Sequence, residues 1–248
     1  MKKNITILFT LVIAFIATNV QAQEIPPGKN YLGLYMGVSE PVGVFKNTDY
    51  YNNNAGFAKR GITYGINWAH YFTKHIAAVA DISFQDQGRP TTDELQTLSD
   101  GYNADYKAQS TTVSVTQRYQ NFNFLLGPQY SFYFGDFSFD LGVSAGLLRS
   151  TDTPEYELTV YKTTVGTTTG TTQIFYQRSS PGSAFAYSGN IGLHYSVSSV
   201  FGFSLTGKYV GSEGITINNE SNPYTVGRLV TKQPINVMQT TFGIFFHF

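Results

Sequence analysis

The stretch QNFNFLLGPQYSFYF, residues 120–134, alternates two chemistries with a period of two. Phe122, Phe124, Leu126, Tyr130, Phe132 and Phe134 share one parity, and Asn121, Asn123, Gly127, Gln129 and Ser131 share the other. Successive side chains of an extended chain point to opposite faces, so this is a strand with one large apolar face and one small polar face. Gly135-Asp136 follows as a tight hairpin signal. FSFDLGVSAGLL then repeats the pattern, setting Phe137, Phe139, Leu141, Val143, Ala145 and Leu147 against Ser138, Asp140, Gly142, Ser144 and Gly146. A soluble sandwich strand alternates too, but its apolar face meets a second sheet. Here the polar face is rich in Gly, Ser and Asn, sized for a crowded interior. The apolar face is bulky and aromatic, as a face toward lipid would be.

Six further segments read the same way. YLGLYMGV, from Tyr31, turns Leu32, Leu34, Met36 and Val38 outward, and GITYGINWAHYF turns out Ile62, Tyr64, Ile66, Trp68 and Phe72. IAAVADISF follows from Ile76 with Asp81 and Ser83 inward. AFAYSGNIGLHYSV shows Phe185, Tyr187, Ile191, Leu193 and Tyr195 outward. VFGFSLTGKYV shows Phe201, Phe203, Leu205 and Tyr209 outward, with Ser204, Thr206 and Lys208 inward. INVMQTTFGIFFHF ends the chain. No window after residue 22 supplies the roughly 20 apolar residues of a spanning helix. A closed barrel is the remaining way across a bilayer.

The links sort themselves. Thr73-Lys74-His75, Gly135-Asp136 and Ser198-Ser199 are short, whereas 39–59, 85–118, 150–183 and 211–234 are long. Short and long alternate without exception, as periplasmic turns and extracellular loops do. The expected fold is all-β: an eight-stranded antiparallel up-and-down transmembrane β-barrel over residues 23–248, with both termini periplasmic. The alternative is ten strands, if 156–164 and 171–178 also enter the membrane. Lys162 and Arg178 would then share the apolar parity of their strands, and a basic residue facing lipid at midplane costs about 2–4 kcal/mol. Eight strands are preferred for that reason.

MKKNITILFTLVIAFIATNVQA, residues 1–22, has Lys2 and Lys3, an apolar run and a small-residue site ending at Ala22. That is a signal peptide, and it implies export. Its removal takes two lysines and no acids, leaving 14 basic and 16 acidic residues and a net charge of −2. This balance gives no case for nucleic acid. Without cysteine there is no disulfide, thiolate nucleophile, thiolate metal site or lipid-modified N-terminus. Aromatic residues make up 16% of the chain against 13% charged, so its surface must meet something other than water. The last strand places Phe242, Ile244, Phe246 and Phe248 on one face and ends on the carboxylate.

The pattern resembles the outer-membrane β-barrel domain family of Bacteroidota, labelled porin-like. The local marks are GVSEPVGVF after the first strand and NAGFAKRGITYGINW leading into the second. More widely it is similar to small OmpA- and OmpX-type barrels. The resemblance implies the outer membrane as location and outer-membrane lipids and the barrel-assembly machinery as partners. It also implies that Phe242, Ile244, Phe246 and Phe248 serve as the C-terminal assembly signal.

An eight-stranded barrel is just wide enough for its own side chains. The residues expected inside are Tyr35, Asn67, Asp81, Asn123, Gln129, Asp140, Asn190, His194 and Lys208, read as a hydrogen-bonded plug, either structural or pore-lining. No catalytic, cofactor-binding or metal residues are expected. His194-Tyr195-Ser196 has a His-x-Ser spacing but falls near a periplasmic turn and points inward. His70 and His75 lie by another such turn and His247 at the rim, without metal-ligand spacing. The long loops carry the remaining signals. Thr91-x-x-Glu94 has a capping-box spacing and implies a short helical turn. TTVSVTQRY alternates, so the fourth strand is expected to start well above the membrane. YELTVYKTTVGTTTGTTQIFYQ reads as a hairpin about a Gly-Thr turn at Gly166–Gly170, projecting outside with an exposed edge. The sequence therefore favours a monomeric, non-catalytic outer-membrane barrel with a structural or surface-interaction role, its long loops meeting an extracellular protein or glycan. A narrow porin is the alternative.

Overall fold

The computed structural model describes residues 29–163, 170–219 and 227–248. The expected signal peptide and most of the Gly166–Gly170 turn lie outside the described residues. In chain order the strands begin with β1 (Asn30–Pro41), β2 (Lys59–Tyr71), β3 (Ile76–Gly88), β4 (Ser110–Val115), β5 (Gln120–Phe134) and β6 (Phe137–Asp152). There follow β7 (Tyr156–Thr163), β8 (Gly170–Gln177), β9 (Gly182–Ser196), β10 (Phe201–Ser212), β11 (Ile215–Thr216), β12 (Lys232–Gln233) and β13 (Asn236–His247). A helix, α1, spans Thr92–Tyr106.

Eight strands close into an antiparallel barrel in the order β1-β13-β10-β9-β6-β5-β3-β2. Closure rests on β1 against β13, paired from Tyr31↔His247 to Pro41↔Val237. The ladder runs to the last residue: Asn30 N–H donates to the Phe248 carbonyl at 3.1 Å, and Phe248 N–H donates back at 3.0 Å. A chain end of this kind cannot fray without opening the barrel seam.

Period-2 patterning decides what each face meets. Leu34, Ile66, Leu126, Val143, Ile191 and Leu205 are all exposed on the outer wall. Toward the short links the wall turns aromatic, with Phe72, Tyr130, Phe134, Phe137, Tyr195 and Phe248 exposed. Toward the long links stand Tyr64, Phe84, Phe124, Phe185 and Tyr187. An aliphatic band between two aromatic girdles is the surface a bilayer selects.

The ten-strand alternative is overturned. β7 and β8 pair with each other and with β4 in a separate three-stranded sheet, order β4-β7-β8, outside the barrel. Two loop expectations are corrected as well. Ser110–Val115 does not extend the barrel strand upward; it leaves it and pairs with β7, from Ser110↔Tyr161 to Val115↔Tyr156. The break at 116–119 is held by Arg118, whose guanidinium reaches Asp86 at 2.6 Å, and by Gln87 N–H donating to the Tyr119 carbonyl at 2.9 Å. The turn after Thr91 is a 15-residue helix, because Leu98, Tyr102 and Tyr106 continue an apolar stripe that the sheet buries.

Glu94 starts that helix and ties it down. Its carboxylate accepts from Thr91 N–H at 2.8 Å and pairs with Lys59 at the rim of β2. Glu94→Ala is expected to weaken α1 by about 1–2 kcal/mol. The readout is faster amide exchange over 92–106 with barrel amides unchanged; uniform protection would contradict it.

Candidate functional site

The lumen is layered. In its middle, Lys208 of β10 donates to Asp81 of β3 at 2.8 Å and to the Tyr35 hydroxyl of β1 at 3.1 Å, while Tyr35 donates to Asp81 at 2.7 Å. β10 and β3 are not neighbours in the barrel, so this contact spans the interior. A second cluster lies beside it: His194 Nδ1 sits 3.0 Å from Asp140, and Gln129 donates to Asp140 at 2.9 Å. Gln129 also reaches Ser131, which contacts the Tyr71 hydroxyl at 3.0 Å. Asn123 donates to Ser83 at 3.3 Å on the next strand. Asn67 and Asn190 line the same cavity as both clusters, and a side chain at Gly142 would collide with the Asn190 amide. All nine residues of the expected interior set face inward. The cavity that all of them but Asn123 line measures about 40 Å³. A single water needs roughly 10–15 Å³ by this measure, so the cavity has room for only about three.

Both ends of this polar layer are closed by apolar side chains. Toward the short links Tyr31, Tyr71 and Phe245 are buried with Ala69 and Ala77. Toward the long links Leu125, Leu148, Ala186, Val210 and Val237 point into the barrel. Phe45, Ile215 and Ile235 descend on them from the loops, each 0% exposed. A charge network closed off from bulk water at both ends is weakly screened, which strengthens each contact within it and makes any missing partner costly.

The other singled-out residues are placed as follows. Phe242, Ile244, Phe246 and Phe248 are exposed on the outer wall. His70 Nδ1 lies 2.8 Å from Asn30, and His75 Nδ1 lies 2.8 Å from the Ser131 carbonyl, so both histidines brace the short-link end. His194 has Asp140 as its polar partner, and its ring packs edge-on against Tyr31 at 5.6 Å. Among the described residues no group of three His, Asp or Glu is placed to hold a metal ion.

Above the barrel the long links build a subdomain with its own core. Leu98, Tyr102 and Tyr106 of α1 meet Val113 of β4, Leu158 and Val160 of β7, Phe175 of β8, and Tyr50 and Phe57 of the first long link. Tyr106 stacks on Phe175 at 5.3 Å, and Tyr102 meets Tyr50 edge-on at 4.9 Å. Arg228 of the last long link donates to the Asn52 and Ala55 carbonyls and lies over the Phe57 ring at 5.1 Å. Burial pushes the Tyr102 phenol up to about 12. Burial and the Asp105 carboxylate raise Tyr50 as well, so it remains a donor to Asp105, at 2.5 Å. All four long links are therefore joined by a common set of contacts.

The apolar seals are what sequence reading missed. Leu125 shares the parity of Asn123, and Tyr31 and Tyr71 share that of Gly33 and Ala69, so alternation alone places them inside. Phe45 carries no such signal, because it sits in a short 3₁₀ turn, Gly43–Phe45, within a loop.

No family model matches the chain, and no curated protein matches it. Among solved structures it is similar to Neisserial surface protein A, at 11% identity over 89% of this chain and 98% of that one, with a TM-score of 0.45. It is also similar to Ail, the attachment invasion locus protein of Yersinia pestis, at 9% identity over 88% and 97%, TM-score 0.38. The outer membrane protein OprG from Pseudomonas aeruginosa matches at 10% identity over 89% and 97%, TM-score 0.39.

Proposed function

We propose that this is an outer-membrane barrel with a sealed lumen, whose work is done at the cell surface by the subdomain above it. The outer wall supports the membrane, since an aliphatic band flanked by aromatic girdles has no stable place in water. The expected signal peptide and the long links gathered at one end support an orientation with both termini periplasmic. Membership of the Bacteroidota barrel family belongs to this reading and rests on GVSEPVGVF and NAGFAKRGITYGINW. Outer-membrane lipids and the barrel-assembly machinery are the partners it requires, the latter through the exposed Phe242, Ile244, Phe246 and Phe248 face.

The observation that carries the surface role is the subdomain core. Loops that only cap a barrel do not need a 15-residue helix packed on a three-stranded sheet. Such a scaffold holds an outer face rigid enough to recognise an extracellular protein or glycan. The role is non-catalytic in this reading, because the His194–Asp140 pair lies inside the barrel, behind Tyr31, Tyr71 and Phe245.

Planar-bilayer recording tests it against a narrow porin. The purified barrel is expected to insert, shown by its resistance to externally added protease, and to stay electrically silent. Steady single-channel steps would refute the sealed lumen and favour the porin.

A further inference from the structure

The two edges of the outer sheet are treated differently. β4 is covered: the Ser99 hydroxyl of α1 donates to the Thr111 carbonyl, and the helix lies along that side. β8 pairs only with β7, and among the described residues no other backbone group bonds to it. Its eight residues, GTTQIFYQ, contain no charge and no proline, and its ladder with β7 runs unbroken from Tyr156↔Gln177 to Thr163↔Gly170. Natural edge strands are defended by lysine, proline or bulges, and β8 has none of these devices. The strand is nevertheless firmly held, because Phe175 is buried and stacked on Tyr106. Thr172, Ile174 and Tyr176 face away from the core, with Ile174 49% exposed.

We propose that this edge pairs with the same edge of a second copy, β8 against β8, antiparallel about Ile174. The proposal rests on the surface reading above, names its partner, and departs from the monomer expected from sequence. Two-fold pairing centred there sets Ile174 against Ile174 and Thr172 against Tyr176 on the outer face, with Gln173 against Phe175 on the inner. Cross-strand pairs of β-branched and aromatic residues are stabilising, and like charges directly opposite are not. A self-pairing edge meets its own sequence reversed, so any charge at its centre would meet its like. GTTQIFYQ satisfies that condition over its whole length. The nearest charge beyond it, Arg178, is engaged at home, 3.0 Å from Glu155 and 4.1 Å over the Tyr176 ring. One strand pair is a small interface beside the roughly 1,200–2,000 Å² of a stable complex, so each contact is weak. Many copies displayed on facing membranes make such contacts effective together.

The test uses the full chain reconstituted at matched density in phosphatidylcholine vesicles, with 155–178 open to external protease and clustering read by light scattering. Wild-type vesicles are expected to cluster and protein-free vesicles not to. Ile174→Lys and Ile174→Glu vesicles are each expected to lose clustering at least tenfold, because like charges now face each other. Mixing the two populations is expected to restore it. Native gel mobility of each unheated barrel shows that it is folded. Dispersed wild-type vesicles, unaffected single variants, or a mixture that fails to cluster would each overturn the pairing. Dispersed vesicles carrying an electrically silent barrel refute the self-pairing alone, whereas single-channel steps refute the surface reading beneath it.

Discussion

Lys208→Met is expected to destabilise the barrel by about 3–5 kcal/mol, the usual cost of stripping one partner from a buried ion pair. Asp81 would keep the Tyr35 hydroxyl at 2.7 Å and lose its cation. Asp81 is 7% exposed and lies between the apolar side chains that close the two ends of the lumen. The double variant Lys208→Met with Asp81→Leu is expected to recover most of the loss, since apolar replacement of a whole buried pair is often neutral or better. Urea unfolding in detergent micelles, followed by loss of barrel mobility on gels, reads both. Equal losses in single and double variants would mean that the pair contributes little and the interior is wetter than the seals allow. The pair joins β10 to β3 across the lumen, so it also fixes which interior residues meet when the strands close.

Phe45→Ala is expected to cost about 3–5 kcal/mol, as for other fully buried aromatics removed from a packed core. Its ring is 0% exposed, lies 4.8 Å from that of Tyr119, and packs with Leu125 and Leu148 at the mouth of the barrel. The loss should appear first as faster exchange in the first long link and at the long-link ends of β5 and β6. The variant is still expected to be silent in bilayers, because Tyr31, Tyr71 and Phe245 close the other end. A variant of wild-type stability would show that Phe45 is not the stopper of the lumen.

Strand alternation made the barrel legible, because period 2 is a local property and lipid and lumen make opposite demands on its two faces. The links after β2, β5 and β9 were legible for the same reason: a tight turn must follow where an alternating run ends. The interior set from Asn67 to Lys208 followed from parity. Its partners did not, because a contact such as Lys208 to Asp81 joins residues 127 apart in sequence and depends on barrel shear. The subdomain was only half legible. β7 and β8 read as a hairpin because Thr and Tyr, which favour strands, flank a Gly-Thr turn. The pairing of β4 with β7 was not legible, since TTVSVTQRY is consistent with one long strand, and the contacts that mark its break, Arg118 to Asp86 and Gln87 to Tyr119, are tertiary. Helix α1 was underestimated because its stripe of Leu98, Tyr102 and Tyr106 lies among polar residues and gains its stability from the sheet beneath it.

Trp68 allows the most direct test, because it is the single tryptophan of the chain and stands on the outer wall, 41% exposed, near the short-link end of β2. Its fluorescence should be measured in vesicles containing brominated lipids, and separately with acrylamide in the water. An outer wall facing hydrocarbon predicts strong quenching by lipid bromines, greatest for those nearer the headgroup, and weak quenching by acrylamide. Free access of acrylamide to Trp68, with brominated lipids inert, would contradict it.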